Sequence, residues 1–308
     1  MYKINVLIVT YKQAHVIGRT IDSILSQKEY GLNKIIICDD CSPDNNWEII
    51  QEYVSNYPKY IVAYRNDVNL GIYGNSNRLI TLRGDADLFC WLEGDDALCE
   101  GFFKSAQEFA KEKNVNIDEP IAIMSNFVIK YANSNENIDD RNSIINKKRD
   151  FLGLYIRGLI SWRASLFSSS VISQFKPAII DKGLSLAESS FDSQFFRYLN
   201  KAFYMPINGS IYYAGIGVSV NLTGLTSSYA TTERIIQWEY YMKNLIFNKF
   251  DRYWCKANIA RCKYFIKPSF MSFFNATQFF IIGFCFKYGF KYKSIASFFL
   301  PMIKRNLI

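Results

Sequence analysis

Along the first hundred residues, short apolar runs alternate with segments whose apolar positions recur every three to four residues. The apolar runs at residues 4–9, 35–38, 61–64 and 88–92, the first of them rich in β-branched residues, predict four strands. Helices are predicted between and after them, at residues 16–27, 47–57, 76–82 and 102–111. Strands that alternate with helices are typical of an α/β domain, in which a mostly parallel sheet is flanked by helices.

The pattern changes further along the chain. A strand is predicted at residues 121–129, a polar loop at 133–148, a helix at 191–199 and strands at 202–213, while residues 152–170 are apolar and aromatic with scattered serines. After about Thr231 the chain is rich in aromatic and basic residues, and a helix is predicted at residues 235–250. We therefore predict an α/β domain at residues 1–225 and a helical region at residues 226–308.

The helical region has the composition of a surface that meets lipid. Residues 270–286 are strongly apolar, yet Asn275, Thr277 and Gln278 interrupt them, and a spanning helix needs roughly 20 apolar residues. Lysines follow this stretch, and the whole chain has a formal charge of +8. We expect helices that lie on an anionic membrane surface. A helix that spans the membrane is one alternative, and a helical cap on the domain or a contact within a homo-oligomer is another.

Charge and the N-terminal residues indicate where the protein acts. The basic residues form no continuous patch early in the chain, so a nucleic-acid partner is not expected. Residues 1–10 carry one lysine and an apolar run, with no cleavage motif after it, which is unlike a signal peptide. We expect a cytoplasmic protein that is peripheral on the inner face of the cell membrane.

Polar residues follow each of the four strands predicted in the first hundred residues. In open α/β sheets, ligands bind beyond the carboxyl ends of the strands. The residues at these ends are Thr10, Tyr11 and Lys12; Asp39 and Asp40; Asn69, Leu70 and Gly71; and Glu93, Gly94, Asp95 and Asp96. One polar strand end is common by chance and four in sequence order are not, so we expect a ligand site at this edge of the sheet.

The last of these strand ends carries three acidic residues. Adjacent Asp95 and Asp96, with Glu93 two positions before Asp95, repel one another unless a cation neutralises them. Their hard oxygen atoms suit Mg²⁺ or Mn²⁺ bridging a diphosphate. A solvated turn with acidic residues at a helix N-terminus is the alternative. The sequence has no glycine-rich phosphate loop, which argues against nucleotide hydrolases and dinucleotide enzymes.

Taken in order, these segments resemble those of family 2 glycosyltransferases, which have the GT-A fold. The matching pieces are residues 6–12, 38–44, 69–71 with 77–78, and 91–96. The resemblance covers residues 3–103 well and residues 158–213 loosely. Three residues depart from the family pattern: Thr10 stands where proline is common, Lys12 where asparagine is common, and Cys41 where glycine is common.

The resemblance implies a donor site for a nucleotide-diphosphate sugar within residues 1–103, with the acceptor side in residues 104–225. Tyr11 would stack on the nucleobase, and Asp40 would accept a hydrogen bond from its ring N–H. Asp96 would bind the metal ion directly, with Asp95 facing the ribose or sugar. The other residues assigned to the donor site are Thr10, Asn69, Gly71, Asn77 and Glu93.

The family is inverting, which implies a carboxylate that removes a proton from the acceptor hydroxyl. In the family this residue opens a helix in the second half of the domain, and Glu188 and Asp192 are the candidates here. Asp192 is preferred, because Phe195, Phe196 and Leu199 after it give the predicted helix an apolar face. A simple acidic residue at a helix N-terminus is the alternative for either residue.

The function expected from the resemblance is transfer of a hexosyl or N-acetylhexosaminyl group to a glycan hydroxyl. A lipid-linked oligosaccharide used in cell-surface polysaccharide synthesis is the expected acceptor. A sugar nucleotidyltransferase is one alternative, although it normally has a glycine-rich basic segment after the first strand, where this chain has Tyr11, Lys12 and Gln13. A non-catalytic, membrane-associated binding protein of the same fold is the other.

Overall fold

The computed structural model describes residues 1–147, 150–181, 184–215, 228–245, 249–267, 269–282, 298–299 and 302. The chain divides into two compact units. The first comprises Met1–Ala178 with Phe191–Val220, and the second comprises Ile179–Ser190 with Asn221–Ile308.

A single sheet forms the centre of the first unit, and nine strands belong to it within the described residues. The strands are β1 (Ile4–Thr10), β2 (Leu32–Asp39), β3 (Ile61–Arg65), β4 (Leu88–Glu93), β5 (Ala97–Leu98), β6 (Ile121–Tyr131), β7 (Glu136–Asp139), β8 (Ser165–Ser168) and β9 (Lys201–Ala214). Their order across the sheet is β3-β2-β1-β4-β8-β6-β9-β5, with β7 paired to β6.

The two halves of the sheet differ in strand direction. β3, β2, β1 and β4 are parallel neighbours, as the alternation of strands and helices predicts. β8 then runs antiparallel to both β4 and β6, whereas β6 and β9 are parallel. The α/β fold class is confirmed. The short strand β8 was not predicted, because it lies in an apolar stretch that has no period of its own.

Helices cover the sheet of the first unit. They are α1 (Ile17–Leu25), α2 (Asn46–Asn56), α3 (Gly71–Thr81), α4 (Phe102–Glu112), α5 (Phe151–Ile156), α6 (Ser169–Ile172) and α8 (Gln194–Arg197). Between α6 and α8 the chain forms α7 (Leu184–Asp192), most of which belongs to the second unit. In α1, the fully buried Ile17, Ile21 and Ile24 share one face and pack in the core with strand β1. All seven residues of β1 are buried, as expected for a parallel strand covered on both faces.

A second set of packed side chains surrounds Phe195 of α8. Its ring centroid lies 4.8 to 6.1 Å from five other aromatic rings. They belong to Trp91, Trp162, Phe167, Phe175 and Phe191. This aromatic cluster joins β4, β8 and the end of α7, and therefore fixes the segments that carry several of the site residues described below.

Three local predictions were wrong. The polar loop predicted at residues 133–148 contains β7 and a 3-10 helix at Arg141–Lys147. The helix predicted at residues 191–199 is interrupted at Ser193, between α7 and α8. The strands predicted at residues 202–213 form one long strand, β9, whose pairing with β6 is irregular near Asn126. In each case the local pattern carried no information about the distant partner segment.

Most of the described residues of the second unit lie in helices. The unit contains α9 (Ser228–Asn244), α10 (Lys249–Ile266) and α11 (Phe270–Phe280). α10 was not predicted, because basic and apolar residues are spread around its circumference without a clear face. The aromatic rings of Trp254, Phe280 and Phe298 pack together at centroid distances of 4.4 to 5.9 Å. Among the described residues, no helix has the length and apolar character needed to cross a membrane.

The aromatic cluster should carry much of the stability of the first unit. Phe195 is 1% exposed, and we expect Phe195→Ala to lower the free energy of unfolding by about 3–5 kcal/mol, because the ring leaves a cavity that its neighbours cannot fill. Urea unfolding followed by circular dichroism measures the change. Ile138→Ala is the control, since Ile138 is 61% exposed and its loss should cost at most about 0.5 kcal/mol. Equal effects of the two substitutions would contradict this account of the core.

Candidate active site

The carboxyl ends of β1, β2 and β4 lie side by side at one edge of the sheet. In the strand register, Thr10 is paired with Asp39 and Val9 with Glu93. Backbone bonds continue beyond the strands, since the N–H of Asp40 donates to Thr10 and the N–H of Gly94 donates to Val9, both at 3.0 Å. Three of the four strand ends singled out in the sequence therefore meet directly.

The acidic cluster at the end of β4 consists of Glu93, Asp95 and Asp96. One carboxylate oxygen from each lies within 4.8 Å of those from the other two. Asp95 and Asp96 are buried, with exposures of 8% and 4%, and Glu93 is half-buried. Three hard oxygen donors at this spacing fit a divalent cation such as Mg²⁺ or Mn²⁺.

The loop that carries the acidic cluster is held by α1. The Thr20 hydroxyl donates to the carbonyl oxygens of Gly94 and Asp96, at 2.8 and 2.7 Å. Arg19 donates from Nη2 to the carbonyl oxygen of Asp95, at 2.6 Å. Gly94 cannot be replaced without movement, because a Cβ there would overlap Gln13 and lie 2.8 Å from Cβ of Thr10. The backbone of the loop is therefore fixed before any ligand arrives.

Burial and mutual repulsion act together on the two aspartates. Burial, with the charge of Glu93 adding to it, raises the pKa of Asp95. The same two causes raise the pKa of Asp96 well above its usual range, although Arg163 and the backbone N–H of Tyr213 act in the opposite direction. A carboxyl group with a raised pKa resists carrying its charge. When ionised, the three carboxylates carry more negative charge than their protein neighbours offset, so a bound cation would stabilise their ionised forms.

Arg163 is the one side chain that forms ion pairs with the acidic cluster among the residues that the structure describes. Its Nη2 donates to Oε2 of Glu93 at 2.7 Å, and its Nε lies 3.9 Å from Oδ2 of Asp96. The guanidinium group also lies over two aromatic rings, 4.7 Å from the centroid of Trp162 and 4.5 Å from that of Tyr212. Sequence reasoning missed Arg163. The available signal was its position next to Trp162 within a long apolar stretch, which also contains Arg157.

The end of β2 carries Asp39 and Asp40, which have different surroundings. Asp39 accepts hydrogen bonds from the N–H of Ser42 and from Nδ2 of Asn46, so it stabilises the turn before α2. Oδ1 of Asp40 accepts from Nδ2 of Asn66 at 2.6 Å and from the N–H of Leu70 at 2.8 Å. Asp40 therefore ties the end of β2 to the segment that follows β3. Asn69 of that segment is among the site residues predicted from the sequence, whereas Asn66 is not.

The remaining donor-site residues predicted from the sequence are brought near this edge in different ways. Thr10 is buried and accepts a hydrogen bond from Asn46, whereas Tyr11 is half-buried beside Lys12. Asn69 donates to the carbonyl oxygen of Asp40 at 3.3 Å and accepts from the N–H of Gly71, which begins α3.

Asn77 of α3 is bound to the backbone of a distant residue. Its Oδ1 accepts from the N–H of Ala178 at 2.6 Å, and its Nδ2 donates to the carbonyl oxygen of Ala178 at 3.4 Å. The amide group thus fastens the segment after β8 to α3. If Asn77 contacts a ligand, it must do so while both hydrogen bonds to Ala178 are kept.

Two departures from the family pattern fall at unusual backbone positions. Lys12 has a φ of 55° and Cys41 a φ of 56°, in the left-handed region. Asparagine and glycine, which are common at these positions in the family, adopt that region most readily. The loops after β1 and β2 therefore keep a special backbone shape here despite the less suitable side chains. Burial raises the pKa of nearby Cys38 to about 11, with Arg78 acting against it and Asp40 and Asp39 adding to it, which disfavours the reactive thiolate form.

Asp192 is buried at the end of α7 and does not open a helix as predicted. Its Oδ2 accepts a hydrogen bond from Nε1 of Trp162 at 3.1 Å. Its charge also contributes to raising the pKa of Arg163: burial works against the charged guanidinium, but Glu93, Asp96 and Asp192 are among the groups that outweigh it. Glu188, one turn earlier on α7, is exposed.

A family model described as glycosyl transferase family 2 matches residues 5–175, more than half of the chain. The chain belongs to this family. The matched region contains the strand ends, the acidic cluster and Arg163. Abequosyltransferase RfbV of Salmonella typhimurium is 35% identical over 100 residues. That match covers 32% of this chain and 29% of the relative, so the chain matches less than a third of the relative's length.

Solved structures of low sequence identity share the fold. Staphylococcus aureus TarS 1–349 in complex with UDP-GlcNAc has a TM-score of 0.60 at 12% identity, over 91% of this chain and 81% of that one. The mannosyltransferase PcManGT from Pyrobaculum calidifontis, in complex with GDP-Man and Mn²⁺, has a TM-score of 0.53 at 11% identity, over 99% of this chain and 80% of that one. The GT-A fold expected from the sequence is confirmed.

Asp96 gives a direct test of the acidic cluster. We expect Asp96→Asn to lower sugar transfer by about a hundredfold or more, since the substitution removes the charge of the residue expected to bind a divalent cation directly. Its pKa is raised, so ionisation of this carboxyl works against folding at neutral pH. In excess chelator, the variant should therefore melt at the same temperature as the wild type or higher. The control is Glu100→Gln, at an exposed acidic residue of the same segment. Full activity of Asp96→Asn would exclude the cluster from the reaction.

Proposed function

We propose that this family 2 glycosyltransferase is a metal-dependent, inverting enzyme that transfers a sugar from a nucleotide-diphosphate sugar to a glycan hydroxyl. The observation that carries the proposal is the buried acidic cluster, which lies at the same sheet edge as Asp40 and Thr10. The names of similar proteins support it, since they include an abequosyltransferase and structures with UDP-GlcNAc or with GDP-Man and Mn²⁺. The proposed transferred group is a hexosyl or N-acetylhexosaminyl group.

The nucleotide is proposed to bind over the ends of β1 and β2. Asp40 is well suited to accept a hydrogen bond from a base, because Asn66 and Leu70 hold its carboxylate in one orientation. Tyr11, half-buried and next to the left-handed residue Lys12, would stack on the base. Asn69 and Gly71 would line the same pocket, with Glu93 and Asp95 on the side of the ribose or sugar.

The diphosphate is proposed to lie beside the acidic cluster. Asp96 would be the direct ligand of Mg²⁺ or Mn²⁺, with Asp95 beside it. When bound, the ion supplies positive charge that stabilises the leaving nucleoside diphosphate. The protein contributes a preformed loop, since Thr20 and Arg19 hold the backbone of the aspartates in place. Little reorganisation is then needed when the donor arrives.

Asp192 is proposed as the general base. It would accept the proton of the acceptor hydroxyl as the hydroxyl oxygen attacks the anomeric carbon and the bond from that carbon to the diphosphate oxygen breaks. Attack from the side opposite to the leaving group inverts the anomeric configuration. Asp192 is favoured over Glu188 because it is buried and oriented by Trp162, whereas Glu188 is exposed.

The acceptor is proposed to be lipid-linked and to be met at an anionic membrane surface on the cytoplasmic side. Four large apolar side chains at the end of α10 and the start of α11 are exposed: Ile266, Phe270, Met271 and Phe274. Lys256, Lys263 and Lys267 lie near them, along a cavity of about 710 Å³ between α9, α10 and α11. Exposed aromatic residues flanked by lysines suit the boundary between acyl chains and lipid phosphates.

The test of the proposed reaction begins with nucleotide sugars screened with and without Mn²⁺ by thermal shift, since a ligand of the native state raises the melting temperature. With the donor found, we expect Asp192→Asn to bind it normally and to lose transfer by about a hundredfold or more. Glu188→Gln should remain active. If the two variants behave in the opposite way, the base is Glu188. If no donor shifts the melting temperature and none is hydrolysed, the chain is a binding protein and the proposal fails.

The membrane surface is tested by co-sedimentation with vesicles. We expect binding to vesicles rich in phosphatidylglycerol, little binding to phosphatidylcholine alone, and release at high salt. Replacing both Phe270 and Phe274 by Glu should weaken binding about tenfold or more. The matched control replaces both Val68 and Ile138, two exposed apolar residues of the first unit, by Glu. Retention through alkaline carbonate would indicate a spanning segment, and no vesicle binding would indicate a cap or a contact between copies.

A further inference from the structure

Arg163 is placed to interact differently with the three carboxylates of the acidic cluster. It makes a charge-assisted hydrogen bond of 2.7 Å with Glu93, whose side chain is 25% exposed. Its Nε lies 3.9 Å from Asp96, beyond hydrogen-bond distance, and has no hydrogen-bond acceptor of its own. The ion pair therefore engages Glu93 and leaves Asp96 available to another cation.

The position of the guanidinium group is fixed by its surroundings. Trp162 and Tyr212 provide ring faces 4.7 and 4.5 Å away, and a planar guanidinium stacks well on such faces. The next residue, Ala164, has a φ of 53°, a left-handed conformation that is unfavourable for alanine. The chain thus accepts a strained residue directly after Arg163. A guanidinium group held in this way cannot readily move to pair with a different carboxylate.

The charges of the cluster also suggest a match to one divalent ion. When all three carboxylates are ionised, as metal binding requires, they carry three negative charges, and with the one positive charge of Arg163 these four side chains have a net charge of −2. Mn²⁺ and Mg²⁺ prefer six oxygen ligands and in nucleotide enzymes keep several positions for substrate phosphates. A site with three protein carboxylates would bind the ion more tightly by itself and would repel an incoming diphosphate.

We propose that Arg163 is a positioning residue that withholds Glu93 from the metal ion, so that the protein supplies Asp95 and Asp96 alone and leaves the other positions to the donor. This inference rests on the proposed metal site. It differs from a simple electrostatic effect of Arg163, which would weaken cation binding equally whether or not Glu93 were present. The distinction lies in the coupling between Arg163 and Glu93.

The experiment is a double-mutant cycle on the full chain with Mn²⁺ alone as the probe, read by electron paramagnetic resonance of free Mn²⁺. We expect Arg163→Met to bind Mn²⁺ about tenfold more tightly than the wild type. Glu93→Gln should change the affinity by less than about threefold when Arg163 is present, and should weaken it about tenfold or more in the Arg163→Met background. Water-proton relaxation should show fewer Mn²⁺-bound waters in Arg163→Met, since a carboxylate replaces water.

Controls separate this inference from the metal site itself. Asp96→Asn should abolish Mn²⁺ binding in every background; if the wild type binds no Mn²⁺ at all, the proposed metal site fails. If the wild type binds Mn²⁺ through Asp96 but Glu93→Gln has the same effect with and without Arg163, the positioning role is overturned. Arg197→Met, at an exposed arginine beside Tyr198, should leave Mn²⁺ affinity unchanged. Should Arg163→Met fail to fold by circular dichroism, Arg163→Gln takes its place in the same cycle.

Discussion

The ion pair between Arg163 and Glu93 is the interaction on which the rest of the site depends. It joins the end of β4 to the segment before β8, at a place where two further carboxylates are buried. Burial penalises each of these charges, and one guanidinium cannot offset three of them. The ionised cluster therefore has uncompensated negative charge that a bound cation would offset. The surrounding contacts serve to hold the carboxylates in place despite their repulsion.

Both α1 and β9 contact the loop after β4 and hold its backbone and carboxylates in place. Arg19 of α1 stacks on Tyr213 of β9, 3.6 Å from the ring centroid, and donates to the carbonyl oxygen of Asp95. The N–H of Tyr213 in turn donates to Asp96 at 3.3 Å. The long strand β9 therefore reaches across the sheet to support residues more than a hundred positions earlier. Support of this kind allows the site to be preformed.

The sequence identified the strand ends because their signal is local. An apolar run followed by polar residues indicates both where a strand ends and where ligands can bind. Thr10, Asp40 and Glu93 were predicted as site residues from this pattern. Arg163 was missed because its meaning comes from Glu93, 70 positions away. The break at Ser193 was missed for a similar reason, since α7 and α8 both pack on aromatic residues of distant strands. The recurrence of apolar residues every two or 3.6 positions contains no information about contacts between distant parts of the chain.

The same geometry connects the acidic cluster to the proposed base. The indole ring of Trp162 lies against the guanidinium of Arg163 while its N–H donates to Asp192. Asp192 also lies within the field of Arg163, as its contribution to the pKa of that arginine indicates. One arginine and one tryptophan thus link the charge of the acidic cluster electrostatically to Asp192, the proposed base. A change in the ion pair of Glu93 would alter both the charge beside the diphosphate and the electrostatic surroundings of the carboxylate proposed to accept the proton.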